Sequence, residues 1–182
     1  MDDADRTGSR QEPVREGDGA PVRVDATVAP VPAGLLAPGS GDAAFVRAVP
    51  LADLPPGAMR RVTFRDLDVL VAHTSAGLVA TDDRCPHMSA PLSLGTLAGC
   101  EVDCVLHRAS FDLATGETLR FPTTGGLDPD GGYHAPWSPE GSAPKPEPAE
   151  LKARARALTR TRLLRYYPVR LRDGWVELAV PA

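Results

Sequence analysis

Two of the chain's three cysteines stand beside histidines. Cys85-Pro86-His87 is followed, sixteen residues later, by Cys104-Val105-Leu106-His107. Two soft thiolates and two imidazoles make a donor set that suits Zn²⁺ or an iron–sulfur cluster. The chain has four histidines in all, so two local Cys/His pairs in Gly- and Pro-bearing loops are not an accident of composition. Three cysteines in 182 residues exclude a disulfide-stapled scaffold and favour metal over a disulfide.

The pairs must be carried by something, and the segments around them read as short strands. Phe45–Val49 is one. Met59–Phe64 and Val69–His73 flank a turn at Asp66-Leu67-Asp68, a hairpin pattern, and Ser75-Ala76-Gly77 turns the chain into Leu78–Thr81. Glu101–Val105 separates the two Cys/His loops. A last hairpin runs from Tyr167–Leu171 through Arg172-Asp173-Gly174 to Trp175–Val180. Close spacing and Gly-bearing turns imply a small antiparallel β domain.

Two stretches do not fit that pattern. Residues 1–43 hold 11 Gly and Pro, no aromatic residue and 8 acids against 4 arginines. Such a composition buries too little apolar surface to offset its ordering entropy, so a disordered tail is expected. Residues 123–161 hold another 11 of the chain's 36 Gly and Pro and read as an insertion into a domain spanning 44–182. Inside it, Pro148 followed by Leu151, Ala155 and Leu158 predicts a short helix. The same stretch carries Lys152, Arg154, Arg156, Arg160, Arg162 and Arg165, making it a short basic helix that is either a solvated face or a docking surface for an acidic redox partner.

A net charge of −4 and a pI near 5.5 argue against a nucleic-acid binder. No apolar run approaches membrane-spanning length, and Met1-Asp2-Asp3-Ala4-Asp5 has no signal-peptide character, so a cytoplasmic protein without membrane association is expected.

The flanks of the pairs separate zinc from iron. The text Cys85-Pro-His87-Met-Ser-Ala-Pro91-Leu92-Ser93-Leu-Gly95, then Cys104-Val-Leu-His107-Arg-Ala-Ser-Phe111-Asp112-Leu-Ala-Thr115-Gly116-Glu117, then Pro122, resembles the Rieske [2Fe–2S] family. Val49–Gly57 and Tyr167–Leu171 are also similar to Rieske ferredoxins. The resemblance covers about 44–122 and 165–180 and implies an all-β fold, a small antiparallel β-sandwich with two cluster-binding loops. It further implies that Cys85 and Cys104 hold one iron while His87 and His107 hold the other. Neutral imidazoles in place of two thiolates reduce negative charge at the cluster and raise its potential above that of all-cysteine clusters.

Departures from the family refine that picture. High-potential members carry a disulfide over the cluster, and Ala90 and Leu106 stand at its positions here. Those members also offer Ser and Tyr hydroxyls to the cluster sulfurs, where this chain has Ala109 and Phe111. Fewer hydrogen bonds to sulfur imply a potential near the low end of the Rieske range, on the order of −150 mV. The family usually has Gly after His107, and Arg108 occupies that position. It is expected either to be a tolerated surface residue or to act beside the histidine. Cys100 falls outside the ligand pattern and reads as a plain thiol, His73 as a surface or packing residue, and His134 as lacking a metal-binding companion.

What the resemblance implies is a ferredoxin that takes electrons from a flavin reductase and passes them singly to a terminal oxygenase. It would be an electron carrier or redox component without a substrate site of its own. Two alternatives remain open on the sequence: a small subunit of a nitrite-reductase-like complex, and a structural Cys₂His₂ zinc module for protein binding.

Overall fold

Val69-Leu70-Val71-Ala72 has no polar alternation, as suits a strand covered on both faces. In the computed structural model, which describes residues 26–122, 126–127, 133–134 and 159–181, all four are buried. Val69 and Val71 face one apolar cluster and Leu70 and Ala72 the other. They belong to the central strand of a three-layered, almost wholly β molecule.

Twelve strands are formed among the described residues. In chain order they are β1 (Phe45–Pro50), β2 (Met59–Phe64), β3 (Leu67–Thr74), β4 (Gly77–Asp82), β5 (Thr96–Ala98), β6 (Glu101–Asp103), β7 (Ser110–Asp112), β8 (Thr118–Arg120), β9 (Gly126–Leu127), β10 (Tyr133–His134), β11 (Val169–Arg172) and β12 (Trp175–Ala179). The middle layer is β2-β3-β4. One outer layer is β1-β12-β11 and the other is β5-β6-β7-β8, with β9-β10 a separate two-stranded ribbon. All pairings between these strands are antiparallel. The all-β expectation therefore holds.

Each outer layer encloses its own core against the middle one. Between β3-β4 and the β5–β8 layer lie Leu70, Ala72, Val79, Leu92, Val102, Phe111 and Leu113, together with Cys85 and Cys104. On the far side Leu54, Val69, Val71, Leu78, Val176 and Leu178 pack together. His73 is a packing residue: it is buried, and Nδ1–H donates to the Leu54 carbonyl at 2.9 Å.

The hairpin turns are tighter than the sequence pattern indicated. Phe64 pairs directly with Leu67, so the turn is Arg65-Asp66 and Leu67 already belongs to β3. At the C-terminus Arg172 pairs with Trp175, leaving Asp173 and Gly174 at φ +50° and +76°. Two positive φ values in a two-residue loop match the twist of the flanking strands.

The expected tail is the main difference. Residues 26–43 are packed as a strap: Val28 bridges Leu78, Leu36 bridges Tyr166, and Ala29, Ala37 and Ser40 are buried. Composition missed this because the strap borrows order from edges it meets only in the folded state. Its backbone exchanges hydrogen bonds with Leu78 and Tyr166, and it needs few apolar side chains of its own. Residues 1–25 and most of the 123–161 insertion, including 148–158 of the expected basic helix, lie outside the described residues. Residues 159–165, with Arg160, Arg162 and Arg165, are not helical: Arg162 is drawn by its N–H and guanidinium onto loop 85–90.

Candidate functional site

Both Cys/His pairs sit on loops at one end of the β5–β8 layer. Loop 1, residues 85–90, follows β4, and loop 2, residues 104–109, joins β6 to β7. Their backbones close in the same way. In loop 1 the Cys85 N–H donates to the Ala90 carbonyl at 2.7 Å and the Ser89 N–H to the Cys85 carbonyl at 2.8 Å. In loop 2 the Cys104 N–H donates to Ala109 at 2.8 Å and the Arg108 N–H to Cys104 at 3.1 Å. The fourth residue after each cysteine is left-handed, Ser89 at φ +60° and Arg108 at φ +54°. The loops thus share a frame and differ in whether the histidine stands two or three places after the cysteine.

That frame brings the four side chains together as like pairs. The cysteines are each 2% exposed and unbridged. Burial pushes the Cys85 thiol up to about 11, and the Cys104 thiol beside it adds to the rise. The His87 and His107 rings meet edge-on with centroids 4.8 Å apart. Burial, and then His107, hold His87 below the ordinary imidazole value, so its ring is neutral at pH 7 and keeps a nitrogen lone pair. His87 Nδ1 is buried without a hydrogen-bond partner. An orphaned polar nitrogen of this kind costs roughly 1–3 kcal/mol unless something binds it.

These features fit a metal cluster. Two thiols are drawn from water, two imidazoles stand part-buried beside each other, and Nδ1 of one ring has no protein partner. They do not fit a single ion as well. A tetrahedral zinc site needs its four donors about 2.0–2.3 Å from one point. Among the described residues no three His, Cys, Asp or Glu side chains are grouped to hold one metal ion. A thiol pair and an imidazole pair suit a group with two metals, each taking like donors.

The flanking motifs now have physical roles. Leu92 plugs the core at 0% exposure. Ser93 donates through N–H and Oγ to the buried Asp83 carboxylate at 2.7 and 2.6 Å, tying the segment after loop 1 to the end of β4. Gly95 passes so near β6 that a Cβ would lie 1.8 Å from the Asp103 carbonyl oxygen. Phe111 is fully buried, and Asp112 Oδ1 accepts the Ala114 N–H at 2.7 Å to start the turn into β8. Ala109 is also fully buried and, like Phe111, shares a core with both cysteines.

Other contacts at the loops were invisible in the sequence. Arg162, 76 residues from Pro86 along the chain, hydrogen-bonds it through its own N–H at 3.1 Å. Its guanidinium donates to the carbonyls of Pro86 and Cys85 at 3.3 and 3.4 Å and to Ser89 Oγ at 2.8 Å. Arg120 Nε donates to the Arg108 carbonyl at 2.7 Å while its Nη2 pairs with Asp103. No local pattern announces such partners, which meet only when the chain has folded.

Cys100 faces Ser75 Oγ at 3.2 Å in the β5–β6 turn. His134 lies in β10. A cleft of about 700 Å³ beside loop 1 is lined by Arg84, Arg162, Arg165, Asp82 and Tyr167 among others. Its carboxylate, Asp82, is taken by the Tyr167 hydroxyl at 2.5 Å, and the residues lining it include no nucleophile paired with a base.

A small β molecule whose two matched loops bring together a buried thiol pair and a part-buried imidazole pair has the architecture of an iron–sulfur electron-transfer protein. Residues 44–129 match the Rieske [2Fe–2S] domain. The ferredoxin component of the naphthalene 1,2-dioxygenase system of Pseudomonas putida is 36% identical over 80 residues, which is 44% of this chain and 77% of that one. The ferredoxin subunit of 3-phenylpropionate/cinnamic acid dioxygenase from Photorhabdus laumondii is 41% identical over 73 residues, 40% of this chain and 69% of that one. The fold matches the Sphingomonas yanoikuyae B1 ferredoxin with a TM-score of 0.50 at 22% identity, covering 76% of this chain and all of that one. The chain belongs to the Rieske [2Fe–2S] ferredoxin family, and its cofactor is a Rieske-type [2Fe–2S] cluster.

Proposed function

We propose that Cys85, His87, Cys104 and His107 hold the cluster and that the protein carries electrons, one at a time, from a reductase to a terminal oxygenase. The observation that carries the ligand assignment is the like pairing of two buried thiols and two imidazoles, with His87 Nδ1 left orphaned. The bound cluster supplies a one-electron couple. The protein's residues do the rest. Leu92, Phe111 and Ala109 keep water from the thiols, and the histidine rings, only part-buried, lie toward the surface. Met88, Val105 and Leu106 are exposed on the same loops, an apolar tip on which a partner can seat without stripping charged groups of water.

The partners follow from the dioxygenase-system relatives, whose names give them as ferredoxin components. Buried Ala109 and Phe111 bring no hydroxyl to the cluster, which supports a potential near the low end of the family range, on the order of −150 mV. We also assign the domain to 44–182 with the 123–161 insertion, the 26–43 strap packing onto it, and the protein to the cytoplasm. Three unbridged cysteines support a reducing compartment, and no helix among the described residues is long and apolar enough to cross a membrane.

Anaerobically purified protein should contain iron and acid-labile sulfide in equal amounts and, once reduced, give the low-average-g EPR signal of a histidine-ligated cluster. His107→Cys should lose the cluster or drop its potential toward the all-cysteine value of about −400 mV. Zinc without labile sulfide would overturn the assignment, as would an unchanged potential in His107→Cys.

A further inference from the structure

Each ligand loop turns at a left-handed residue that is not glycine, Ser89 or Arg108, and each is gripped at that residue by an arginine from outside the loop. Arg162 reaches Ser89 Oγ and the Cys85 and Pro86 carbonyls. Arg120 reaches the Arg108 carbonyl and is itself anchored on Asp103. Side chains with L configuration resist positive φ, so a loop without such a grip would relax toward commoner backbone shapes. That relaxation would move the cysteine carbonyl bonded to the N–H of the same residue. A guanidinium is suited to the task because its planar fork offers several donors at fixed angles, which an ammonium does not.

We propose that Arg120 and Arg162 are positioning residues, a matched pair of clamps that hold the two ligand loops in cluster-binding shape. Arg162 lies beyond the 123–161 insertion, so its clamp makes the geometry of loop 1 depend on how the chain returns from that insertion. The consequence for the cluster rests on the ligand assignment above, whereas the consequence for the loops does not.

The clamps have two separable attributes, charge and fork. Loss of a positive charge near the cluster disfavours the reduced state and lowers the potential; loss of the fork loosens the loop. Arg162→Gln should therefore lower the potential and speed loss of the cluster to a chelator several-fold. Arg162→Lys should keep the potential near wild type yet lose the cluster about as fast as the Gln variant. For loop 2, Arg120→Gln should cost less in an Arg108→Gly background, where no left-handed side chain needs holding, so the two changes should be non-additive.

A readout that needs no cluster separates this proposal from the ligand assignment. Amide hydrogen exchange should quicken several-fold at Ser89 in Arg162→Gln and at Arg108 in Arg120→Gln, each in its own loop only. Unchanged exchange at both amides overturns the clamps whatever the metal content. Cluster retention in Arg162→Lys equal to wild type, or strictly additive effects of the Arg120 and Arg108 changes, would also overturn them. Zinc without sulfide in wild type, with loop-specific exchange still seen, would instead remove the ligand assignment and leave the clamps standing.

Discussion

Arg108 and Ser89 occupy equivalent left-handed positions, yet they do not carry the same cost. A left-handed non-glycine residue costs roughly 1–2 kcal/mol, and glycine returns roughly 0.5–1 kcal/mol of that through unfolded-state entropy. The Arg108 side chain makes no hydrogen bond or ion pair of its own among the described contacts, since its bonds run through its N–H and carbonyl. Arg108→Gly should thus stabilise the protein by about 0.5–1 kcal/mol. Ser89→Gly removes the Oγ that accepts from Arg162, worth about 1 kcal/mol, and should bring no gain. Urea unfolding midpoints of the two variants check this; equal gains would show that backbone strain alone governs both sites. At Arg108 the departure from the family's glycine is legible in the sequence at once, but the sign of φ and the Arg120 contact are not.

At the scale of elements, the segment 165–167 joins the strap to the middle layer. Tyr166 and Tyr167 are neighbours that point to opposite sides, one into each core. Their backbones are stitched on one side to the strap through Leu35 and Ala37 and on the other to β4 through Ala80. Burial raises both phenols well above their ordinary value, and for Tyr167 the Asp82 carboxylate that accepts its hydroxyl adds to the rise. The folded state therefore keeps both protonated at a pH where the unfolded chain, at about 10, begins to release them. Stability is fully present below pH about 10 and falls above it, by about 1.4 kcal/mol per pH unit for each tyrosine. Tyr167→Phe should roughly halve the slope of stability against pH between about 10 and 11.5. An unchanged slope would show that other groups drive the alkaline loss. The tyrosines themselves are plain in the sequence, but their assignment to separate cores needs the strap and β4 on either side.

For the molecule as a whole, the three-layer plan makes the strap part of the fold. It lies along β4 at Val28 and along the 165–167 segment at Leu36, and it covers Gly77, whose Cβ would meet the Thr27 carbonyl at 2.7 Å. A chain beginning at residue 44 should be less stable than the full chain by at least about 2 kcal/mol, from lost apolar burial and hydrogen bonds. Thermal unfolding of the two forms decides it. Equal midpoints would return residues 26–43 to the status of a tail.

By itself the sequence determined the ligand candidates, the family and the β class, because these rest on local order. Cys85-Pro86-His87, Cys104-Val105-Leu106-His107 and their flanks are contiguous text, and strand alternation has a period of two. The hairpins were legible too, each to within a residue or two of its turn. Only the tertiary structure decided that the loops share one backbone frame, that Arg162 and Arg120 grip them, and that residues 26–43 pack as a strap. Those facts depend on contacts between segments far apart in the chain. Such contacts carry no local signature, since any exposed arginine or proline-rich stretch looks the same until the fold supplies its partner.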